Sequence, residues 1–352
     1  MRELELEKVR VLVPENKTLP GGIFKSEGSG ALNWNKILYP KFYNVFKQLL
    51  ANFWKPEDVS MVNDLKDWKT IPEEIKDVFL TISVMLSTLD SMQSKGVFNI
   101  FNYISDTATQ HILINIAQQE TIHTQCYSYI NSDLINGDEQ DKLYNELLKN
   151  ENILSRNVPI GEAYDNFMNE STPENLLKFL VNSTNLEGIY FVSAFVFFYA
   201  LDRKNKMKGS STMISYIHRD EMVHFDFIGG LVRILMTEYP ELNTKENADY
   251  IYKTVDDAVE AEIDWAYSIF TDDVLDYLDV DMDEYEAYIR YLANKRLRIM
   301  GLENYYHGVD ENPMPWIKTF DEGSLNNTRT DQFEAKPRTY AKVGVDNGFD
   351  EL

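Results

Sequence analysis

Two Glu-x-x-His pairs, Glu120/His123 and Glu221/His224, constrain this chain more than any other feature. A three-residue offset puts a carboxylate and an imidazole one helical turn apart on the same face. Two further carboxylates lie inside apolar runs. Asp90 closes the stretch Val84-Met85-Leu86 to Leu89, and Glu187 interrupts Leu186-Glu187-Gly188-Ile189-Tyr190-Phe191. A carboxylate buried without a partner is costly, and a metal ion supplies that partner. Two Glu-x-x-His helices plus one carboxylate from each of two other helices build a carboxylate-bridged dimetal centre inside a four-helix bundle.

The expected ligands are therefore Asp90, Glu120, His123, Glu187, Glu221 and His224. Hard oxygen donors and imidazole nitrogens suit iron or manganese, and no thiolate is present to favour structural zinc. Four carboxylates balance two divalent ions, which makes burial of the set tolerable. The remaining histidines, His111, His218 and His307, read as polar structural residues.

The surrounding pattern is helical from about residue 33 to 302, with few strand signals. Thr70-Ile71-Pro72-Glu73 and Ser171-Thr172-Pro173-Glu174 both read as capping boxes with proline in the first turn. Each opens a helix carrying one lone carboxylate, followed by a helix carrying Glu-x-x-His. The gaps Asp90 to Glu120 and Glu187 to Glu221 suit helical hairpins, so the chain reads as two helix pairs about a pseudo-twofold axis. The expected architecture is all-α: a four-helix-bundle core with additional helices over 31–305. An irregular arm, 1–30, precedes it, and a flexible tail, 306–352, rich in Asn, Asp, Gly, Pro and Thr, follows.

Composition narrows the function. With 352 residues and 44% apolar content the chain can bury a large core. A net charge of -23 repels phosphate backbones and argues against nucleic-acid binding. The single cysteine, Cys126, excludes an internal disulfide and fits a reducing compartment. The start, Met1-Arg2-Glu3-Leu4-Glu5, lacks the apolar stretch of a signal peptide. The longest apolar run, Gly188 to Leu201, is too short for a bilayer and reads as a buried helix. The expectation is a soluble, cytoplasmic protein with no membrane attachment.

Tyr127 lies four residues after His123 and seven after Glu120, on the same helical face. A phenol beside an oxidised metal pair can be converted to a radical, provided apolar walls exclude water. Phe191, Phe195 and Ile217 stand at helical offsets from the ligands and are candidates for those walls.

Taken together, these residues resemble the small, radical-generating subunit of class I ribonucleotide reductase, a ferritin-like family. The likeness rests on Leu89-Asp90-Ser91-Met92-Gln93, Glu120 to Tyr127, Leu186 to Phe191, Arg219 to His224, and Phe53-Trp54-Lys55-Pro56-Glu57. It covers roughly residues 33 to 350. The resemblance implies that two iron or two manganese ions react with oxygen and that Tyr127 holds the resulting radical. It implies that Trp54, Asp220 and His123 form a route for electrons and protons, and that Tyr340 relays the radical equivalent to a large catalytic subunit. That subunit would reduce ribonucleotides in a thioredoxin-dependent reaction. The resemblance further implies a homodimer, docking of the large subunit by the last residues, and a flavodoxin-like activase if manganese is used. Two rival readings stand beside it. Another ferritin-like oxidase would share the six ligands but has no need for Trp54 or a tyrosine in a mobile tail. The other is a metal-storage or structural helical protein, although the chain is much longer than one storage bundle.

Overall fold

The ligand helices start in different ways, and only some of them are capped by a side chain next to them in sequence. In the computed structural model, which describes residues 6–13, 19–26 and 28–317, α1 spans Lys41–Ala51, α2 Asp64–Trp68, α3 Glu73–Ile100 and α4 Thr107–Leu134. The helix α4 starts at Asp106, whose carboxylate accepts from Thr109 N at 2.8 Å and Thr109 Oγ1 at 2.7 Å. Such a cap satisfies one of the free amides of a helix start. The start of α3 has no side-chain cap: Pro72 stands at that position, and Thr70 Oγ1 instead donates to the Asp67 carbonyl. The expected capping box is therefore not formed there.

Two helices, α5 (Gly137–Leu147) and α6 (Glu151–Asn169), occupy the crossover between the two helix pairs. Next, α7 (Pro173–Asn185) is capped by Thr172, one residue later than expected, with Thr172 Oγ1 accepting from Asn175 N at 3.1 Å. A π-helical turn, Leu186–Tyr190, joins it without a break to α8 (Phe191–Arg203). The apolar run is thus part of a 31-residue helical stretch, Pro173–Arg203. By length and composition this stretch could cross a membrane, but its most apolar window is entirely buried by protein. It is the central core element.

The last ligand helix, α9 (Lys208–Glu238), follows Met207, which has a positive φ of 50°. Its cap comes from α2: Asp64 accepts from Gly209 N at 2.8 Å and from Ser210 N and Oγ at 2.7 Å each. Glycine is needed at 209, because a Cβ would lie 2.8 Å from the Ser60 carbonyl oxygen. At the far end of α9, the Glu238 carboxylate accepts from Ile23, Phe24 and Lys25 N at 2.6, 2.8 and 3.0 Å, which pins the irregular arm to the bundle.

The bundle core is formed by α3, α4, the α7–π–α8 stretch and α9, with α10 (Lys245–Ile269), α11 (Asp272–Leu278) and α12 (Met282–Met300) packed outside it. No strand occurs among the described residues. The fold is all-α, as expected. Gly301, at φ 92°, ends α12. Beyond it the chain stays packed. Asn294 Oδ1 accepts from Tyr305 N and Tyr306 N at 3.0 Å each, Tyr306 OH donates to Asp256 at 2.6 Å, and Met314 and Ile317 are buried. The tail expected from 306 therefore begins with packed residues. The part after Ile317, including Tyr340 and the expected docking end, lies outside the described residues.

Candidate metal centre

The six expected ligands, all fully buried, meet between α3, α4, the π turn and α9. They form two overlapping sets. Asp90, Glu120, His123 and Glu221 can each offer a donor atom within 4.8 Å of the others, and so can Glu120, Glu187, Glu221 and His224. Glu120 and Glu221 belong to both sets, so they are the residues that two ions held there would share. Each imidazole turns Nδ1 inward. His123 Nδ1 lies 3.0 Å from Glu221 Oε1, 3.5 Å from Glu120 Oε2 and 3.8 Å from Asp90 Oδ1. His224 Nδ1 lies 2.9 Å from Glu120 Oε1, 3.1 Å from Glu221 Oε2 and 3.7 Å from Glu187 Oε2.

Two observations show that a metal pair fits. Both oxygens of Asp90 and of Glu120, together with Glu187 Oε2, Glu221 Oε1 and His123 Nδ1, have no hydrogen-bond partner despite being buried. Buried polar atoms are rarely left so, and a cluster of them marks an ion site. The electrostatics agree. Burial, reinforced by Glu120 and Glu221, holds the Asp90 and Glu187 carboxyls well above the usual range. Burial alone would lower both histidines, yet Glu221 and the neighbouring carboxylates override it and raise His123 and His224. Glu221, opposed by burial but stabilised by Glu187 and both imidazoles, is held below its ordinary value. These directions favour protons on the metal-free cluster, and two divalent cations would take their place.

The outward nitrogens are also fixed. His123 Nε2 faces Asp220 Oδ2 at 3.4 Å, and the same oxygen accepts from Trp54 Nε1 at 2.9 Å. The Trp54 and His123 rings lie 6.4 Å apart, nearly parallel. Arg219, within 3.4 Å of Asp220 Oδ1, also donates to the Asn52 carbonyl at 2.7 Å. Trp54 is buried but borders a surface cavity of about 330 Å³ lined by Phe53, Lys55, Glu57, Ile122 and Gln125. His224 Nε2 instead meets Gln119 Oε1 at 2.9 Å, and Gln119 Nε2 donates to the Leu49 carbonyl at 3.2 Å. Such partners set the tautomer and orientation of a ligating imidazole.

Tyr127 is fully buried, and its hydroxyl has no hydrogen-bond partner among the described residues. Burial, with the fields of Asp90, Cys126, Glu221 and Glu120, pushes its phenol well above the usual range. Phe191, Phe195 and Ile217 are fully buried in the same core. His218, given a polar structural role, is buried with Nδ1 2.8 Å from Tyr199 OH.

Sequence reading missed the π turn that carries Glu187. π turns are rare and cluster at functional sites, because the extra residue re-aims side chains and frees carbonyls. Arg296 Nε donates to the Gly188 carbonyl at 2.8 Å, and Arg156 Nη2 to the Tyr190 carbonyl at 3.2 Å. Arg156 is itself paired with buried Glu262. Gly188 was the available signal, since a Cβ there would collide with the Arg296 side chain. Gln119 and Gln93 were also missed, for neutral amides carry no signal of their own.

The family model for "Ribonucleotide reductase, small chain" matches residues 31–313. The chain belongs to this family. It is 35% identical to the ribonucleoside-diphosphate reductase subunit beta of Halalkalibacterium halodurans, with both chains covered completely. It is 33% identical to the corresponding subunit of Treponema pallidum over 88% of each. The ribonucleotide reductase R2 subunit from Clostridium botulinum superposes with a TM-score of 0.86 at 31% identity, covering 90% of this chain and 99% of that one. The Streptococcus sanguinis dimanganese(II)-NrdF gives 0.71 at 25% identity, covering 82% and 98%. The small chain of ribonucleotide reductase works with a large catalytic alpha subunit in reducing ribonucleotides to deoxyribonucleotides. Its cofactor is a dinuclear centre of iron or manganese.

Proposed function

We propose that Asp90, Glu120, His123, Glu187, Glu221 and His224 ligate the two ions, that Tyr127 carries the radical, and that Trp54, Asp220 and His123 conduct the oxidising equivalent outward. The single observation that supports this most is the Trp54–Asp220–His123 chain, which links a ligand to a tryptophan beside a surface cavity. A storage bundle or a self-contained oxidase has no use for it. A metal pair held by these six residues would supply, with oxygen as the oxidant, the power to remove an electron from a phenol. Tyr127 gives up its phenolic proton together with that electron. Among the described residues no side chain hydrogen-bonds its hydroxyl, so the proton leaves toward the ligand carboxylates, whose field the phenol already feels. The apolar surroundings then keep reductants and water from the phenoxyl oxygen. Asp220, fully buried, holds the Trp54 indole N–H and can take up or return a proton as the tryptophan is oxidised and reduced.

The finer assignments follow from the same reading. Tyr340, beyond the described residues, relays the equivalent to the alpha subunit, and the last residues dock that subunit. The working form is a cytoplasmic homodimer, and a flavodoxin-like activase supplies the oxidant if the metal is manganese. The test is Trp54→Phe beside Tyr340→Phe. Both keep two metal ions and the Tyr127 radical while turnover with the alpha subunit is lost; normal turnover in either removes that residue from the route.

A further inference from the structure

Glu187 is held differently from every other ligand of the centre. Gln93 lies three residues after Asp90, one turn along α3, and its amide reaches across to the π turn. Gln93 Nε2 donates to Glu187 Oε1 and, at 2.8 Å, to Ser183 Oγ. Its carbonyl oxygen accepts from Tyr164 OH of α6. Gln93, Ser183 and Glu187 are fully buried and Tyr164 nearly so. The amide cannot flip without turning its N–H group toward the phenol, so Tyr164 fixes which end faces Glu187. The Tyr164 ring is itself fixed, stacked on Phe179 with centroids 4.1 Å apart. Space for it is made by Gly96, where a Cβ would lie 2.7 Å from Tyr164 Cδ2.

The consequence falls on one oxygen. With Oε1 committed to Gln93, only Oε2 of Glu187 faces the cluster, 3.7 Å from His224 Nδ1 and without a hydrogen-bond partner. Asp90, the counterpart on the other side, keeps both oxygens unpartnered. We infer that Gln93, locked by Tyr164, is a positioning residue that commits Glu187 to donate through Oε2 alone and so secures the ion shared with His224. This rests on the metal assignment proposed above. Neither Gln93 nor Tyr164 belongs to the ligand set; both act through the orientation of one carboxylate, which a buried hydrogen-bonded amide can fix.

The test is manganese(II) titration of the full-length protein without oxygen, followed by electron paramagnetic resonance. Wild type, Gln93→Met and Tyr164→Phe would be compared, with thermal melting of each metal-free protein alongside. Gln93→Met keeps length without hydrogen bonds, and Tyr164→Phe keeps the ring and removes only the hydroxyl. The expected result is that the wild type fills two ions with a spin-coupled signal. Gln93→Met then binds the second ion about tenfold more weakly and shows the hyperfine pattern of an isolated Mn(II) at stoichiometries where the wild type is coupled. Tyr164→Phe moves the same way by less, and decides the matter alone if Gln93→Met does not fold. Second-ion affinity unchanged or tighter in the folded variants overturns the inference while leaving the ligand assignment intact. A wild type that fails to bind two ions overturns the ligand assignment and the inference with it.

Discussion

The two halves of the metal centre use the same ligand motif and differ in everything behind it. On one side, His123 is backed by a carboxylate, Asp220, which is itself joined to Trp54 and so to the surface. On the other, His224 is backed by a neutral amide, Gln119, which in turn donates to the Leu49 backbone carbonyl. The lone carboxylates differ likewise: both Asp90 oxygens lack a hydrogen-bond partner among the described residues and its charge raises the Tyr127 phenol, whereas Glu187 sits on a π turn with one oxygen taken. A charged partner can move a proton and an electron hole toward the surface, while a neutral one can only hold a ring in place. On the reading proposed above, the pseudo-symmetric sequence builds an outward-facing half suited to conduct and an inward half suited to anchor.

The largest effect that can break this contrast comes from exchanging the charge on the conducting side. Asp220→Asn preserves shape and the tryptophan contact but removes the proton acceptor. Turnover with the alpha subunit, normalised to the Tyr127 radical present, should fall by about 10²-fold or more, the scale of losing a positioned proton carrier. Gln119→Leu, the matching change on the anchoring side, should instead weaken metal binding about tenfold and leave turnover per radical near wild type. Equal losses of turnover per radical in both variants would erase the distinction.

Metal loading should also depend on pH, with a definite sign. In the metal-free cluster Asp90, Glu187, His123 and His224 all hold protons above their ordinary pKa values. Ligation requires them deprotonated, so binding releases protons and affinity rises as pH rises, falling as pH falls through those raised values. Calorimetric titration with manganese in buffers of different ionisation enthalpy would count the protons; uptake on binding would contradict the electrostatics described.

A smaller effect is expected at the π turn. Gly188→Ala puts a methyl group where the buried Arg296 side chain now lies, so it should destabilise the fold by about 1–3 kcal/mol, the range for overpacking a filled core. A lowered melting temperature with Glu187-dependent metal binding impaired is the expected outcome, and an unchanged melt would show that Arg296 can yield.

Much of this was legible in the chain itself. The paired Glu-x-x-His spacing and the carboxylates in apolar runs locate all six residues that meet in the buried cluster, because a helix converts spacing directly into a shared face. Trp54 and Asp220 were read through likeness rather than spacing, since they are 166 positions apart and meet only in the folded protein. The π turn was not legible, because its hydrophobic pattern is continuous with that of an α-helix. Nor were the Asp64 cap of α9 and the Glu238 clasp on the arm, where the two ends of each contact belong to distant segments. The capping boxes were misplaced for a simpler reason: at α3 the proline occupies the cap position itself.

The central claim is that Tyr127 is the residue oxidised by this centre. The most direct measurement is electron paramagnetic resonance of protein loaded with iron without oxygen and then exposed to it, alongside a manganese-loaded sample and Tyr127→Phe. A tyrosyl signal in the wild type that is absent from Tyr127→Phe at equal metal content is the result predicted here. The same signal persisting in Tyr127→Phe would contradict it, by showing that another residue carries the radical.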